Sequence, residues 1–283
     1  MKWLFVSLII AWSVFSGSAL AAWEPYFGVE MRSVNPAINE IIDDANSLLA
    51  ISAAMAGGTV EFQRMSTIES APVFTVGLRH HGPTNSIGFA YRWITANPRD
   101  LYLSSNVKEY SGMTCDSLYC YWEFDETETE TTIGLDLIAA GPLVSVAWPF
   151  HLRKLDAGFE LSVAPMNLTI RVPVTSRTTE SIRTETHDRS TDELVGVSSI
   201  PAATTNTREE SIYTAQAPEI GASLEVGYRL ADSVSVSGRL GYVLADFGVP
   251  ETSDGLSIDP LLGGDLSANL SGFQIGGAVV LEF

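Results

Sequence analysis

Four histidines, two cysteines and a handful of charges set among apolar neighbours are the residues of this 283-residue chain that could do chemistry. Acyl hydrolysis needs a nucleophile, a base within reach and a group that orients the base. Of His80, His81, His151 and His187, the first two stand beside Gly82-Pro83-Thr84-Asn85-Ser86, which offers Ser86 as a hydroxyl nucleophile. These residues fall in a short periplasmic turn, away from the rim where an enzyme would meet outer-leaflet lipid, and a turn or interface pair of histidines accounts for them better. Glu126, Glu128 and Glu130 alternate with threonines and would share one face of a strand, where carboxylates can hold a hard divalent cation. Solvated charges that block edge-to-edge pairing explain the same row more simply. Cys115 and Cys120 read as a disulfide closing a small loop, because a metal site usually takes four ligands and no histidine is near. The sequence therefore assigns no catalytic residue, no metal and no cofactor.

The elements that must position these residues announce themselves by alternation. In Phe273–Phe283, the residues Phe273, Ile275, Gly277, Val279, Leu281 and Phe283 alternate with Gln274, Gly276, Ala278, Val280 and Glu282. Successive side chains of a strand point to opposite faces, so one face is greasy and the other small or polar. About 10 such residues, tilted, cross a bilayer core. The same rhythm predicts strands at Trp23–Met31, at Val73–His81 with Ile87–Trp93, and at Ile220–Tyr228 with Val234–Leu244. In the two hairpins the charged residues sit opposite the apolar band. That assigns Arg79, Arg92, Arg229 and Arg239, with Asp136, Glu160 and Glu225, to an interior face. In a narrow ring of strands such charges pair and seal the lumen; in a wide one they line a pore.

The middle of the chain is less regular. Ile133, Leu135, Leu137 and Ala139 give way after Gly141-Pro142 to Val144, Val146, Trp148 and Phe150, with opposite parity. Phe159, Leu161 and Val163 flip likewise across Pro165 to Leu168, Ile170 and Val172. Each flip is predicted to be a bulge in one long strand or a tight turn between two short ones. Bulges give eight strands, the favoured count, and turns give ten. A further strand over Leu101–Tyr110 would allow twelve. A helix is predicted over residues 36–57, with Pro36 at its start, a stripe of isoleucines and leucines, and Gly57-Gly58 at its end. It could cap the mouth of the strands, plug their lumen or lie on a membrane. Residues 175–214 and 250–269 read as long polar loops, the first with the option of a protruding hairpin.

Residues 1–21 have the layout of a cleaved signal peptide: Lys2, an apolar run from Trp3 to Phe15, and Ala19-Leu20-Ala21 at the cleavage site. The formal net charge of -18 argues against nucleic acid as a partner. An exported chain with membrane-type strands and no spanning helix points to a closed barrel in an outer membrane, since only helices and closed barrels satisfy their backbone in lipid.

Taken together, the leader, the hairpin of Ile220–Phe247 and the closing strand resemble the small Gram-negative outer-membrane β-barrel proteins, the outer membrane protein A-like superfamily. The resemblance implies an all-β fold over residues 22–283, a closed antiparallel transmembrane barrel in the cell outer membrane. It implies outer-membrane lipid, lipopolysaccharide and the barrel-assembly machinery as partners. Phe283, with Leu281 and Val279, would be the signal that machinery reads; Gly277 fits the pattern less well. It transfers no ligand and no activity. The expected role is structural or one of surface interaction, with a narrow pore for small solutes as the alternative and a lipid-modifying enzyme beyond that.

Overall fold

The computed structural model describes residues 23–34, 36–55, 59–82, 84–152, 155–231, 234–256 and 268–281. The leader predicted over residues 1–21 and the terminal Phe283 lie outside them. Among the described residues eleven strands and one helix follow in chain order: β1 (Trp23–Ser33), α1 (Pro36–Met55), β2 (Thr59–Gln63), β3 (Ser70–His81), β4 (Ser86–Ala96), β5 (Leu101–Cys115), β6 (Tyr119–Ile133), β7 (Asp136–Leu152), β8 (Leu155–Asp188), β9 (Leu194–Ala231), β10 (Val234–Leu244) and β11 (Gly272–Leu281).

Every pairing is antiparallel. The ladder β8-β7-β4-β3-β1-β11-β10-β9 returns to β8, so eight strands form a ring of pairings. These eight follow one another in sequence, apart from the inserted β2, β5 and β6. Short connections fall at the end of the ring where β3 meets β4, β7 meets β8 and β9 meets β10. All long insertions fall at the other, distal end. There β8 exchanges its neighbour: β7 pairs with it from Leu155 to Arg171, and β6 from Val174 to Asp188. With β5 and β2 beyond β6, and β9 on the far side, the distal halves of β8 and β9 belong to an open five-stranded sheet. From Val174 to Asp188 it rises roughly 45 Å at the usual strand pitch. Cys115 and Cys120 are joined by a disulfide at its tip.

The predicted bulges and turns in the middle of the chain are absent. β7 and β8 are unbroken and keep a single register from Asp136↔Arg171 to Leu152↔Leu155. Leu137, Ala139, Leu143, Ser145 and Ala147 of β7 all face the interior, while Val144, Trp148 and Phe150 face out. The apolar parity flips because the interior changes character along its length, not because the strand does. Its distal half is an apolar core built from Val73, Ile94, Leu137, Met166, Leu168, Ile170, Val243 and Leu270. Its other half is polar. Where β7 and β8 cross this change their backbones come close, and a Cβ on Gly141 would lie 2.0 Å from the Pro165 carbonyl oxygen.

Helix α1 sits over the distal mouth. Its Ile42 is fully buried in the same apolar core. Asn39 and Asn46 are two helical turns apart and therefore share a face. Asn39 bonds the N–H and C=O of Ile68, and Asn46 those of Met65. Two side-chain amides thus take the place of a neighbouring strand for the extended segment 64–69. The buried Ile42 shows the helix packed on the apolar core.

Candidate functional site

The polar half of the interior holds four arginines and four glutamates in two ion-pair clusters, one around Glu219 and one around Arg79 and Arg239. Arg32 and Arg92 both bond Glu219, the first at 2.8 Å. Arg79 reaches Glu160 at 3.0 Å and Glu225 at 3.1 Å. Arg239 touches Glu30 at 3.2 Å, Glu160 at 3.1 Å and Glu225 at 3.4 Å. Gln274 accepts from Arg32, Thr75 from Arg92, and Ser237 donates to Glu225. Tyr26 lies under the Arg79 guanidinium, 5.2 Å from ring centre to Cζ. The formal charges cancel, four against four. Buried charge in such numbers is tolerable only when each group is paired and hydrogen-bonded.

Five of the seven charges assigned to the interior from sequence stand in these clusters: Arg79, Arg92, Arg239, Glu160 and Glu225. Two do not. Asp136 has the parity of the exposed Ile138 and opens on the outward surface, because β7 keeps one parity throughout where a flip was expected. Arg229 has the interior parity but stands exposed near the end of β9. Glu30, Arg32, Glu219, Tyr26 and Gln274 were missed. The signal for the first two was present in Val29-Glu30-Met31-Arg32, an alternation that runs past the predicted end of the first strand at Met31.

The outward face of the ring is the reverse of a soluble protein's. Phe27, Val29 and Met31 of β1 are 40–46% exposed, and Phe273, Ile275, Val279 and Leu281 of β11 are 40–66% exposed. Comparable residues continue around β4, β7, β8, β9 and β10, among them Phe89, Trp148, Leu161, Leu224 and Leu240. Aromatic pairs border this band, with Phe74 stacked on Trp93 toward the distal end and Trp148 on Phe159 at the other.

Ser86, His81 and Glu24 do come together at the end with the short connections. Ser86 Oγ lies 2.9 Å from His81 Nδ1, and His81 Nε2 lies 2.9 Å from Glu24 Oε2. The serine is only 4% exposed. On the distal sheet, Glu126 accepts from Asn106 and Glu130 from Tyr102. Lys108 Nζ lies 3.7 Å from the Phe124 ring centre and bonds Glu185, which also meets Arg183 at 3.2 Å. The hydrogen bond from Lys108 and the charges of Lys108 and Arg183 lower the Glu185 pKa. At the tip, Asp116 is lowered by N–H donors from Tyr119 and Leu118 and by the Tyr121 hydroxyl.

No protein-family model matches the chain, and no curated protein matches it. Among solved structures, Neisserial surface protein A is 9% identical, covering 92% of this chain and 96% of its own, with a TM-score of 0.34. The attachment invasion locus protein of Yersinia pestis is 9% identical over 92% of this chain and 97% of its own, with a TM-score of 0.24. OmpT, an outer membrane protein of Vibrio cholerae, is 7% identical over 92% and 99%, with a TM-score of 0.15. Likeness of this degree carries no argument, so the reading below rests on the chain's own residues.

Proposed function

We propose that this chain is an integral β-barrel protein of a bacterial outer membrane, with a sealed lumen and a distal sheet that serves as an interaction surface. The observation that carries the reading is the inverted distribution of polarity. Charged side chains fill the ring, and a belt of exposed aliphatic and aromatic residues surrounds it. In water that belt would be an association hazard far larger than the few hundred Å² a soluble monomer shows. Against lipid it is the expected surface, since barrels carry an outward apolar band about 25 Å tall bordered by aromatics. β11 supplies ten residues, Gly272–Leu281, which is within the 9–11 that cross a bilayer core at the tilt usual for such strands.

The same geometry favours a closed interior over a pore. Eight strands leave a lumen just wide enough to be filled by side chains. Here an apolar layer with α1 packed on it lies over the two ion-pair clusters, which are neutral in sum. In planar bilayers the purified protein is expected to give no conductance steps; regular single-channel openings would overturn this part of the reading. A shift in gel mobility between boiled and unboiled samples tests the barrel itself.

The Glu24–His81–Ser86 alignment supports a hydrolytic alternative. We favour a structural role, because the hydroxyl is buried and an attacking nucleophile must meet its substrate. A fluorophosphonate probe should leave the folded protein unlabelled; labelling lost in Ser86→Ala would reverse that choice.

A further inference from the structure

The outward surface of the ring does not end with its apolar band. β8 and β9 carry it upward into the distal sheet. The positions that expose Leu161 and Val163 on β8 continue, two residues at a time, to Thr175 and Arg177. Those that expose Ile220 and Ile212 on β9 lead likewise to Arg208 and Asn206. β5 and β6 extend this face in register. One row reads Tyr102, Thr132, Thr175 and Arg208, and the next Ser104, Glu130, Arg177 and Asn206. Glu61 of β2 stands beside Ser104. Two hollows of about 930 Å³ and about 370 Å³ open on the face and share Tyr102 and Glu130, so they form one groove.

Its height fixes what surrounds it. Trp93, at the aromatic border of the apolar band, lies in register with Ala140 and Asn167. Thr175, in the lowest row of the groove, is eight residues further along β8. That is roughly 20 Å higher once strand tilt is allowed for. Head groups reach only about 5–8 Å beyond the hydrocarbon. On the outer-membrane reading, the neighbour at the level of the groove is the saccharide of the lipopolysaccharide leaflet.

The lining suits such a neighbour. Four carboxylates, Glu61, Glu126, Glu128 and Glu130, are matched by four cations, Lys108, Arg177, Arg183 and Arg208. The formal charges cancel here, in a chain whose net charge is -18, so the groove selects neither a polyanion nor a polycation. Apart from Val107 the described lining is polar, which excludes an acyl chain. The side chains of Glu61, Glu128, Arg177 and Arg208 make no hydrogen bond or ion pair among the described residues. A carboxylate accepts from two adjacent sugar hydroxyls, and a guanidinium fork donates to two.

We infer that this groove binds the uncharged saccharide chain of the surrounding lipopolysaccharide, its hydroxyls held by Glu61 and Glu128 toward one side and Arg177 and Arg208 toward the other. The assignment rests on the membrane reading above and names the partner of its interaction surface.

The test uses the refolded full-length protein in phosphatidylcholine vesicles. The probe is core oligosaccharide released from lipopolysaccharide by mild acid and stripped of phosphate, and its binding is read by saturation-transfer NMR. Binding should be saturable, and about tenfold weaker in Glu128→Gln and in Arg177→Gln. Glu109→Gln should bind as the native protein does, because Glu109 follows Lys108 and points to the opposite face. Lipid A in the vesicles, which lacks the core saccharide, should not compete. The assignment is overturned by absent binding, by binding that both groove variants retain, by competition from lipid A, or by tighter binding of heparin or polylysine. The two readings fail separately. Protein that inserts and shows the boiled-versus-unboiled shift, yet does not bind the saccharide, defeats the groove alone. Protein that does not insert defeats the membrane reading.

Discussion

Replacing Arg239 with methionine asks whether the interior cluster around it acts as a unit. Arg239 is 4% exposed and serves three carboxylates: Glu30, Glu160 and Glu225. Removing it leaves Glu160 with Arg79, and Glu225 with Arg79 and Ser237. Glu30, 3% exposed, loses the ion pair it makes. Each contact at 3.1–3.4 Å has a gross Coulomb energy of about 5 kcal/mol at an effective dielectric of 20. Desolvation of the arginine cancels most of that sum, so the net cost is dominated by the carboxylate left behind. Breaking a buried pair from one side typically costs about 3–5 kcal/mol, or roughly a thousandfold in the folding equilibrium. Urea unfolding in lipid vesicles, followed by tryptophan fluorescence, should show that loss for Arg239→Met. Adding Glu30→Gln should restore much of it, because a neutral amide no longer needs a cation. A single variant within about 1 kcal/mol of the native protein would refute the reasoning, and so would a double variant no better than the single.

Other outcomes follow from separate parts of the molecule. Asn46→Ala removes both bonds to Met65, and the two stranded backbone groups should cost about 1–3 kcal/mol; hydrogen exchange at the Met65 amide should accelerate while the ring amides stay protected. Gly141→Ala places a Cβ 2.0 Å from a carbonyl oxygen and should lower refolding yield, whereas Gly238→Ala meets nothing within 4 Å and should be silent on the same gel assay. The Glu185 pKa is depressed, so its contribution to the distal sheet is complete above the unfolded carboxylate pKa and is lost as pH falls through the lower folded value. Exchange protection of β8 residues near Glu185 should therefore weaken on acidification below about pH 4, and Lys108→Ala should flatten that dependence.

The ring was legible in the sequence wherever a strand kept one greasy and one polar face, as in β1, β4, β10 and β11. It became illegible where the interior itself turned apolar. Leu137 and Val144 are both hydrophobic for opposite reasons, one facing the core under α1 and one facing outward, and no local pattern separates the two. Reading their flip as a bend in the chain followed from assuming a polar lumen throughout. Glu30 lay within the predicted first strand, opposite Val29 and Met31, and Arg32 could have been recovered by following the alternation one residue further. Glu219 was obscured by Pro218 beside it, although it shares the parity of Glu225. The pairing of β6 with the distal half of β8 joins residues more than forty apart, and no short-range signal fixes that register.

The exchange of neighbours along β8 has a mechanical consequence. β8 and β9 run from the short-connection end of the ring to the distal tip without a break, paired over almost their whole length. A pull on the tip therefore enters the ring along the strands themselves, loading their hydrogen bonds in shear. The ladder shifts register at Glu180/Ser181 and at Thr186/His187, both near the tip, and from Glu180 down into the ring it runs in one register, so force passed below Glu180 is carried as by a stiff mast stepped in its hull.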